Sequence, residues 1–335
     1  MAPSTMPSLE SSPVVRAIDI GYGITKFVVD DRGTCRMFPS LAPLADIRDP
    51  LTDIVNARRT QKVWVEDVAY EVGPDTTLFS EVPVLHKDFM ETPQYRALLY
   101  GALDAIGVSH IDLLVTGLPV HQHSERAARL KKMMKGLHII RPGVSVEVRE
   151  VVVAIQPLGG LLAHAHDRGS WTRIKNRSYL LVDPGYVTFD WLATQGMNEI
   201  PGRSGSLECG VSDYLRSIGT RLMRELGQPL MDWRRIDDGL RQGQFRIRGR
   251  EVDLRPYCSH AEAIVERATR ELRNRLGADL EIDEIVLVGG GSAYFQRGLQ
   301  RAFPGREVVV PKDPVFANVR GFHLLGKILS KQSAA

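Results

Sequence analysis

Residues 17–31 read AIDIGYGITKFVVDD. An apolar run ends on an acid, Asp19, and a turn follows with two glycines, Gly21 and Gly23, flanking Tyr22. A second apolar run then brings Lys26 back towards the acid. Apolar runs on both sides of a short glycine turn predict a β-hairpin. With the next run, CRMF at residues 35–38, the pattern extends to a three-stranded meander. Glycine lets backbone N–H groups approach an anion closely because no Cβ intervenes, and Lys26 would neutralise the same charge. The turn is therefore a candidate phosphate cradle, provided the rest of the chain supplies its partners.

The first partner is an internal echo. Residues 178–196, SYLLVDPGYVTFDWLATQG, repeat the order strand, acid, glycine turn, strand, so that Asp183-Pro184-Gly185 stands against Asp19-Ile20-Gly21. Tyr186 and Thr188 complete this second turn. Gln156 falls where an apolar strand pattern, SVEVREVVVAI, gives way to a small-residue helical pattern beginning near Pro157. A third turn, Gly289, Gly290 and Gly291 followed by Ser292, separates another apolar strand from a helical segment.

Each piece suits one part of a nucleotide. Two carboxylates at strand ends, Asp19 and Asp183, hold Mg²⁺ mainly through its water shell rather than in a full protein cage. A glutamine orients a water for in-line attack on a terminal phosphoryl group without itself titrating. A glycine triplet between strand and helix admits an extended ligand such as adenosine and its α-phosphate. Singly, these features have ordinary structural explanations as turns and caps. Their joint order predicts a site for Mg²⁺-ATP, with GTP as the alternative nucleotide.

Composition bounds the rest. The 335 residues suffice for two domains, and 43% hydrophobic with 25% charged residues is the balance of an ordinary globular protein. A formal net charge of +3 is too small to imply nucleic-acid binding. The densest basic stretch, Arg126, Arg129, Lys131, Lys132 and Lys135, falls on a predicted helix and reads as a solvated face. Cys35, Cys209 and Cys258 are far apart and lack ligand spacing, which fits reduced thiols in the cytoplasm. Two His-x-His pairs, His121 with His123 and His164 with His166, have no third ligand nearby, so no zinc is expected. No apolar run approaches the ~18 residues of a membrane span.

The pattern predicts an α/β chain of two similar βαβ halves around a cleft. A flexible lead-in covers 1–13, the first half 14–155 with an insert at about 39–84, the second half 156–330 with an insert at about 205–280, and a tail 331–335. Within the second insert, helices are predicted over 206–226 and 259–276 with a short strand pair, FRIRGREVDL, between them.

Taken in order, DxGxGxxK, the AIQ-helix, VDxGxxTxD, VGGGS and a closing ANVRG resemble the actin-like ATPase superfamily of actin, heat-shock chaperones and sugar kinases, over residues 14–330. The resemblance implies a ribonuclease H-like two-domain fold. It makes Asp19–Lys26 the phosphate-1 segment, Val153–Ala165 the connection carrying the water-orienting Gln156, Asp183–Asp190 the phosphate-2 segment and Val288–Ser292 the adenosine motif. GLPV at 117–120 and DPVFANVRG at 313–321 look most like plasmid-segregation actins of the ParM/StbA kind, a type also found as component D of PRTRC gene clusters. That branch implies Glu208 near the sugar or base, ATP-driven head-to-tail filaments, and attachment to DNA through an adaptor protein without direct contact. Tyr186 departs from the pattern, standing where many relatives have a second glycine, and is expected to narrow the phosphate turn. Two other readings use the same nucleotide site: a small-molecule kinase with Asp190 as base, and a nucleotide-gated scaffold with little hydrolysis.

Overall fold

The opening stretch folds as a hairpin of β1 (Val15–Ile20) and β2 (Ile24–Val28), with Asp19 opposite Lys26, and β3 (Cys35–Pro39) completes the meander. The computed structural model describes residues 12–45, 58–78, 88–169, 171–227, 232–277 and 281–333. Most of the lead-in expected at 1–13, parts of both expected inserts and the last two residues of the tail lie outside the described residues. All six residues of β1 are buried, the mark of a central strand covered on both faces. Ile18 and Ile20 face one hydrophobic cluster and Ala17 faces another, as the two-residue period requires.

A separate hairpin joins β4 (Gln61–Val65) to β5 (Val68–Val72). Helix α1 (Pro93–Ile106) starts on the Thr92 hydroxyl, which accepts from the Tyr95 N–H, and ends at Gly107 in the left-handed region. Next come β6 (His110–Leu118), α2 (Val120–Met134), β7 (Gly136–Arg141) and β8 (Val144–Ile155). Together they build a six-stranded sheet in the order β3-β2-β1-β6-β8-β7, with β1, β6 and β8 parallel.

The second half repeats the plan. After α3 (Gln156–Asp167) and the short α4 (Trp171–Ile174) come β9 (Ser178–Pro184), β10 (Phe189–Gln195), β11 (Asn198–Glu199) and β12 (Gly205–Leu207). Then follow α5 (Val211–Leu226), α6 (Arg234–Gln242), the pair β13 (Arg246–Ile247) and β14 (Arg250–Glu251), and α7 (Arg255–Leu276). The chain closes with β15 (Glu284–Leu287), α8 (Ser292–Ala302), β16 (Val308–Val309) and α9 (Ala317–Ser333). The second sheet runs β11-β10-β9-β15-β16, again a hairpin beside parallel strands.

Four elements depart from the sequence reading. Helix α5 starts at Val211 rather than 206 because residues 205–207 pair with β10 as β12. Helix α7 starts at Arg255 rather than 259. Strand β7 was hidden because two of its three large apolar residues, Leu137 and Ile139, face outward while a histidine, His138, is buried beside Ile140. Helix α6 was hidden because only Ile236 and Gly239 of its nine residues are buried.

Helices α3 and α9 exchange sides. Helix α3 follows the last strand of the first sheet yet packs Leu161, Ala163 and Ala165 against Tyr179, Leu181 and Val286 of the second. Helix α9 follows the second sheet and packs Val319 and Phe322 against Ala17, Val115 and Ala154 of the first. They cross where a β-carbon on Gly321 would overlap the carbonyl oxygen of Gly159, an approach open only to glycine. Among the described residues no helix is long and apolar enough to cross a membrane.

Candidate functional site

The two glycine turns face each other above this crossing, and they are built alike. The Gly21 N–H donates to the Ile24 carbonyl at 3.2 Å, and the Gly185 N–H donates to the Thr188 carbonyl at 2.8 Å. Asp19 and Asp183, one before each turn, are both buried. Each is held by an amide from one of the crossing helices. Gln156, first residue of α3, donates from Nε2 to Asp19 Oδ1 at 2.8 Å. Asn318, second residue of α9, donates from Nδ2 to Asp183 Oδ2 at 2.6 Å.

The electrostatics of the two turns differ. Lys26 Nζ donates to Asp19 Oδ2 at 2.7 Å, whereas the residue paired with Asp183 across its hairpin is another acid, Asp190. Burial, and then the charge of Asp190, push Asp183 up to about 7. Burial also pushes Asp190 up to about 6, against the lowering effect of its hydroxyl donors. Those donors are Thr188 Oγ1, at 2.5 Å from Asp190 Oδ2, and Ser206 Oγ on the other oxygen.

A divalent cation fits this donor set. Asp19 and Asp183 offer hard oxygen ligands at facing strand ends. Asn318 Oδ1 is buried beside it without a partner. Among the described residues no group of three or more His, Cys, Asp or Glu is arranged to hold a metal. Protein would therefore supply few of the ligands, leaving the others to water and substrate oxygens.

One cleft is lined by Asp19, Gly21, Tyr22, Gly23, Lys26, Gln156, Asp183, Gly185, Tyr186, Thr188, Gly289, Gly290 and Gly291. Two residues of the sequence reading stand apart from this lining. Ser292 is buried behind it, its hydroxyl donating to the Gly289 carbonyl at 2.8 Å, and Glu208 is exposed. Gly289 has φ +83°, and a β-carbon there would overlap Asp183 Oδ1, so the tight turn and the acid share one space.

Four further residues belong to the site and were missed. Ser40 pins the first turn, donating from Oγ to the Gly21 carbonyl at 2.6 Å and from its N–H to the Gly23 carbonyl at 2.9 Å. Asn318 holds Asp183, and only its place in the ANVRG motif marked it. Asp237 and Arg241 come from α6. Arg241 donates to the Gly290 carbonyl at 2.9 Å, pairs with Asp237 at 2.8 Å and lies 5.5 Å over the Tyr294 ring.

The other candidates are occupied elsewhere. On α2 and just after it, Arg126 and Arg129 pair with Asp88 and Glu91, and Lys131 and Lys135 share Glu150, so much of the basic face is engaged in ion pairs. His123 is bonded to the Val153 carbonyl and His164 pairs with Glu284. The three cysteines are free thiols.

No curated protein matches the sequence. A family model described as "Actin like proteins N terminal domain" matches residues 17–159, and one described as "Archaeal actin homologue MreB-like, C-terminal" matches residues 181–301. Among solved structures, an archaeal actin homologue superposes with a TM-score of 0.78 at 18% identity, over 94% of this chain and 99% of its own. The same homologue in complex with ADP gives 0.74 at 18% identity, over 94% and 99%. The ParM of a 15-stranded filament from Clostridium botulinum gives 0.77 at 20% identity, over 95% and 100%. At such identities the shared property is the fold. The two family models follow one another along the chain as the two halves do and together span well over half of it: the chain belongs to the actin-like proteins.

Proposed function

We propose that this chain binds Mg²⁺-ATP between its two turns, hydrolyses it, and polymerises head to tail into filaments that segregate plasmid DNA in the cytoplasm through a DNA-binding adaptor protein. The observation that carries this reading is the mirrored pair of buried acids, Asp19 and Asp183, each held at a glycine turn by an amide from a crossing helix. An ADP complex of an archaeal relative and a ParM filament among the structural neighbours support it.

Each residue then has a task. The N–H groups of the two turns and Lys26 cradle the phosphates, while Gly289 to Gly291 and Arg241 take the nucleoside end. Asp19 and Asp183 hold the waters around Mg²⁺, which when bound offsets charge on the phosphoryl oxygens. Because the Gln156 NH₂ is spent on Asp19, its Oε1 remains as the acceptor that aims a water at the terminal phosphoryl group. Hydrolysis is favoured over transfer to an acceptor because both oxygens of Asp190, the kinase base, already accept from Thr188 and Ser206. A ligand touching both turns biases the angle between the halves, and head-to-tail contacts that do not close on themselves give filaments.

Right-angle light scattering with phosphate release, after adding Mg²⁺-ATP to wild type and Gln156→Ala, tests the proposal. Scattering should rise with ATP and decay as phosphate appears, with persistent filaments in the variant. Flat scattering over a wide protein concentration range would contradict polymerisation. ATP consumption matched by a phosphorylated alcohol would point to the kinase.

A further inference from the structure

Both turns carry a tyrosine at the same place, Tyr22 after Gly21 and Tyr186 after Gly185, yet the two rings go different ways. Tyr22 turns into the first half, its ring stacked on Phe89 with centroids 5.0 Å apart. Tyr186 lines the cleft with the base of its side chain against the opposite turn, while its ring packs on the hydrophobic cluster of its own half. Its ring lies so close over Gly23 of the opposite turn that a β-carbon there would stand 2.9 Å from the ring Cγ.

The backbones on both sides of this contact are pinned. The Gly23 carbonyl accepts from the Ser40 N–H at 2.9 Å. The Gly185 and Tyr186 carbonyls accept from the N–H groups of Val211 and Ser212, in the first turn of α5, at 3.0 and 2.8 Å. Rotation of the ring about its side-chain bonds breaks none of these hydrogen bonds, whereas moving either turn does. With the ring in place the free volume of the cleft is about 120 Å³. Clefts that take small-molecule ligands run to about 300–1,000 Å³.

We propose that Tyr186 is a specificity-determining residue of the cleft: its ring fills the gap between the two turns, and a ligand that places phosphate groups there must first displace it. This rests on the nucleotide reading above. The penalty falls only on ligands that fill the gap, so ATP and ADP bear it and adenosine, which has no phosphate, does not. Apparent affinity for the phosphorylated ligands is the intrinsic affinity reduced by the fraction of molecules whose ring has swung out.

The test is stopped-flow binding of Mg²⁺-ATP carrying a ribose-linked N-methylanthraniloyl fluorophore to the full chain, with competition by ADP and by adenosine. Wild type, Tyr186→Gly, Tyr186→Val, Tyr186→Phe and Lys26→Ala are compared, each checked by a thermal melt. Loss of the ring in either Gly or Val should tighten ATP and ADP by roughly tenfold, mainly through faster association, and leave adenosine within about twofold. Tyr186→Phe keeps the ring and should behave as wild type. The proposal is overturned if ATP affinity is unchanged or weaker in both ring-less variants, if adenosine gains as much as ATP, or if Phe behaves like Gly. Binding that depends on Lys26 but not on Tyr186 removes only this proposal. Binding that is absent, or indifferent to Lys26→Ala, removes the nucleotide reading and this proposal with it.

Discussion

Replacing Asp183 with asparagine should stabilise the empty protein at alkaline pH and weaken its hold on Mg²⁺-ATP. Burial and the neighbouring Asp190 push Asp183 up to about 7, against an ordinary aspartate value of about 3.9. Roughly three decades of proton affinity at about 1.36 kcal/mol each amount to about 4 kcal/mol of disfavoured ionisation. Taking half of this as the part a neutral replacement relieves gives about 2 kcal/mol. The sign follows from the raised folded-state pKa. The stabilisation from protonated Asp183 is complete below the unfolded value and is lost as pH rises through about 7. Thermal melts without nucleotide or divalent cation should therefore show Asp183→Asn melting higher than wild type by roughly 4 °C at pH 8, with the gap nearly closed by about pH 3.5. Adding Mg²⁺-ATP at pH 8 should reverse the order, because ligand stabilisation is retained mainly by wild type. Equal melting at pH 8 without ligand, or a gain independent of pH, would refute the reasoning.

Three further substitutions probe separate parts of the account. Gln156→Ala should slow phosphate release by about 100-fold while changing ATP affinity only a few-fold, since misplacing the water harms chemistry more than binding; equal slowing of release and loss of affinity would assign Gln156 to binding. Gly321→Ala drives a β-carbon into the Gly159 carbonyl and should lower stability by more than about 3 kcal/mol in urea unfolding; an unchanged midpoint would mean the helices separate easily. Glu284 is buried against His164 at 2.9 Å, Arg168 at 3.2 Å and Arg177 at 3.4 Å, so Glu284→Gln should remove about 3 kcal/mol at pH 7. The close His164 imidazole leads the causes that hold Glu284 below the ordinary glutamate range. Its contribution is thus present above that range and lost on acidification, and the gap between wild type and Glu284→Gln should narrow below about pH 4.

Much of this architecture is legible in short strings. The DxG turns announce themselves because an acid, a glycine and flanking apolar runs sit within eight residues, and their recurrence exposes the two-fold repeat of the chain. Gln156 is legible because a strand pattern and a helix pattern meet on it. Arg241 and Asp237 are not, because α6 is short and mostly charged and buries only Ile236 and Gly239, so its narrow apolar edge is easily read as loop. Asn318 escapes for another reason. Its partner, Asp183, is 135 positions away, and the two meet only because the chain returns after β16 to the end of the second sheet, where the Gly289 N–H donates to the Pro314 carbonyl just before α9. Glu208, placed by resemblance alone, is exposed and acts on Tyr22 of the cleft only through its charge, whereas Tyr186, noticed only as a departure, lies against the opposite turn at Gly23.

The central claim is that one nucleotide is held jointly by both turns. Isothermal titration of Mg²⁺-ATP into wild type, Lys26→Ala and Gly185→Val tests it most directly, because each variant spoils one turn and leaves the other intact. The account predicts one nucleotide per chain in wild type and at least about tenfold weaker binding in each variant, about 1.4 kcal/mol or more. Wild-type affinity in either folded variant would contradict a shared site.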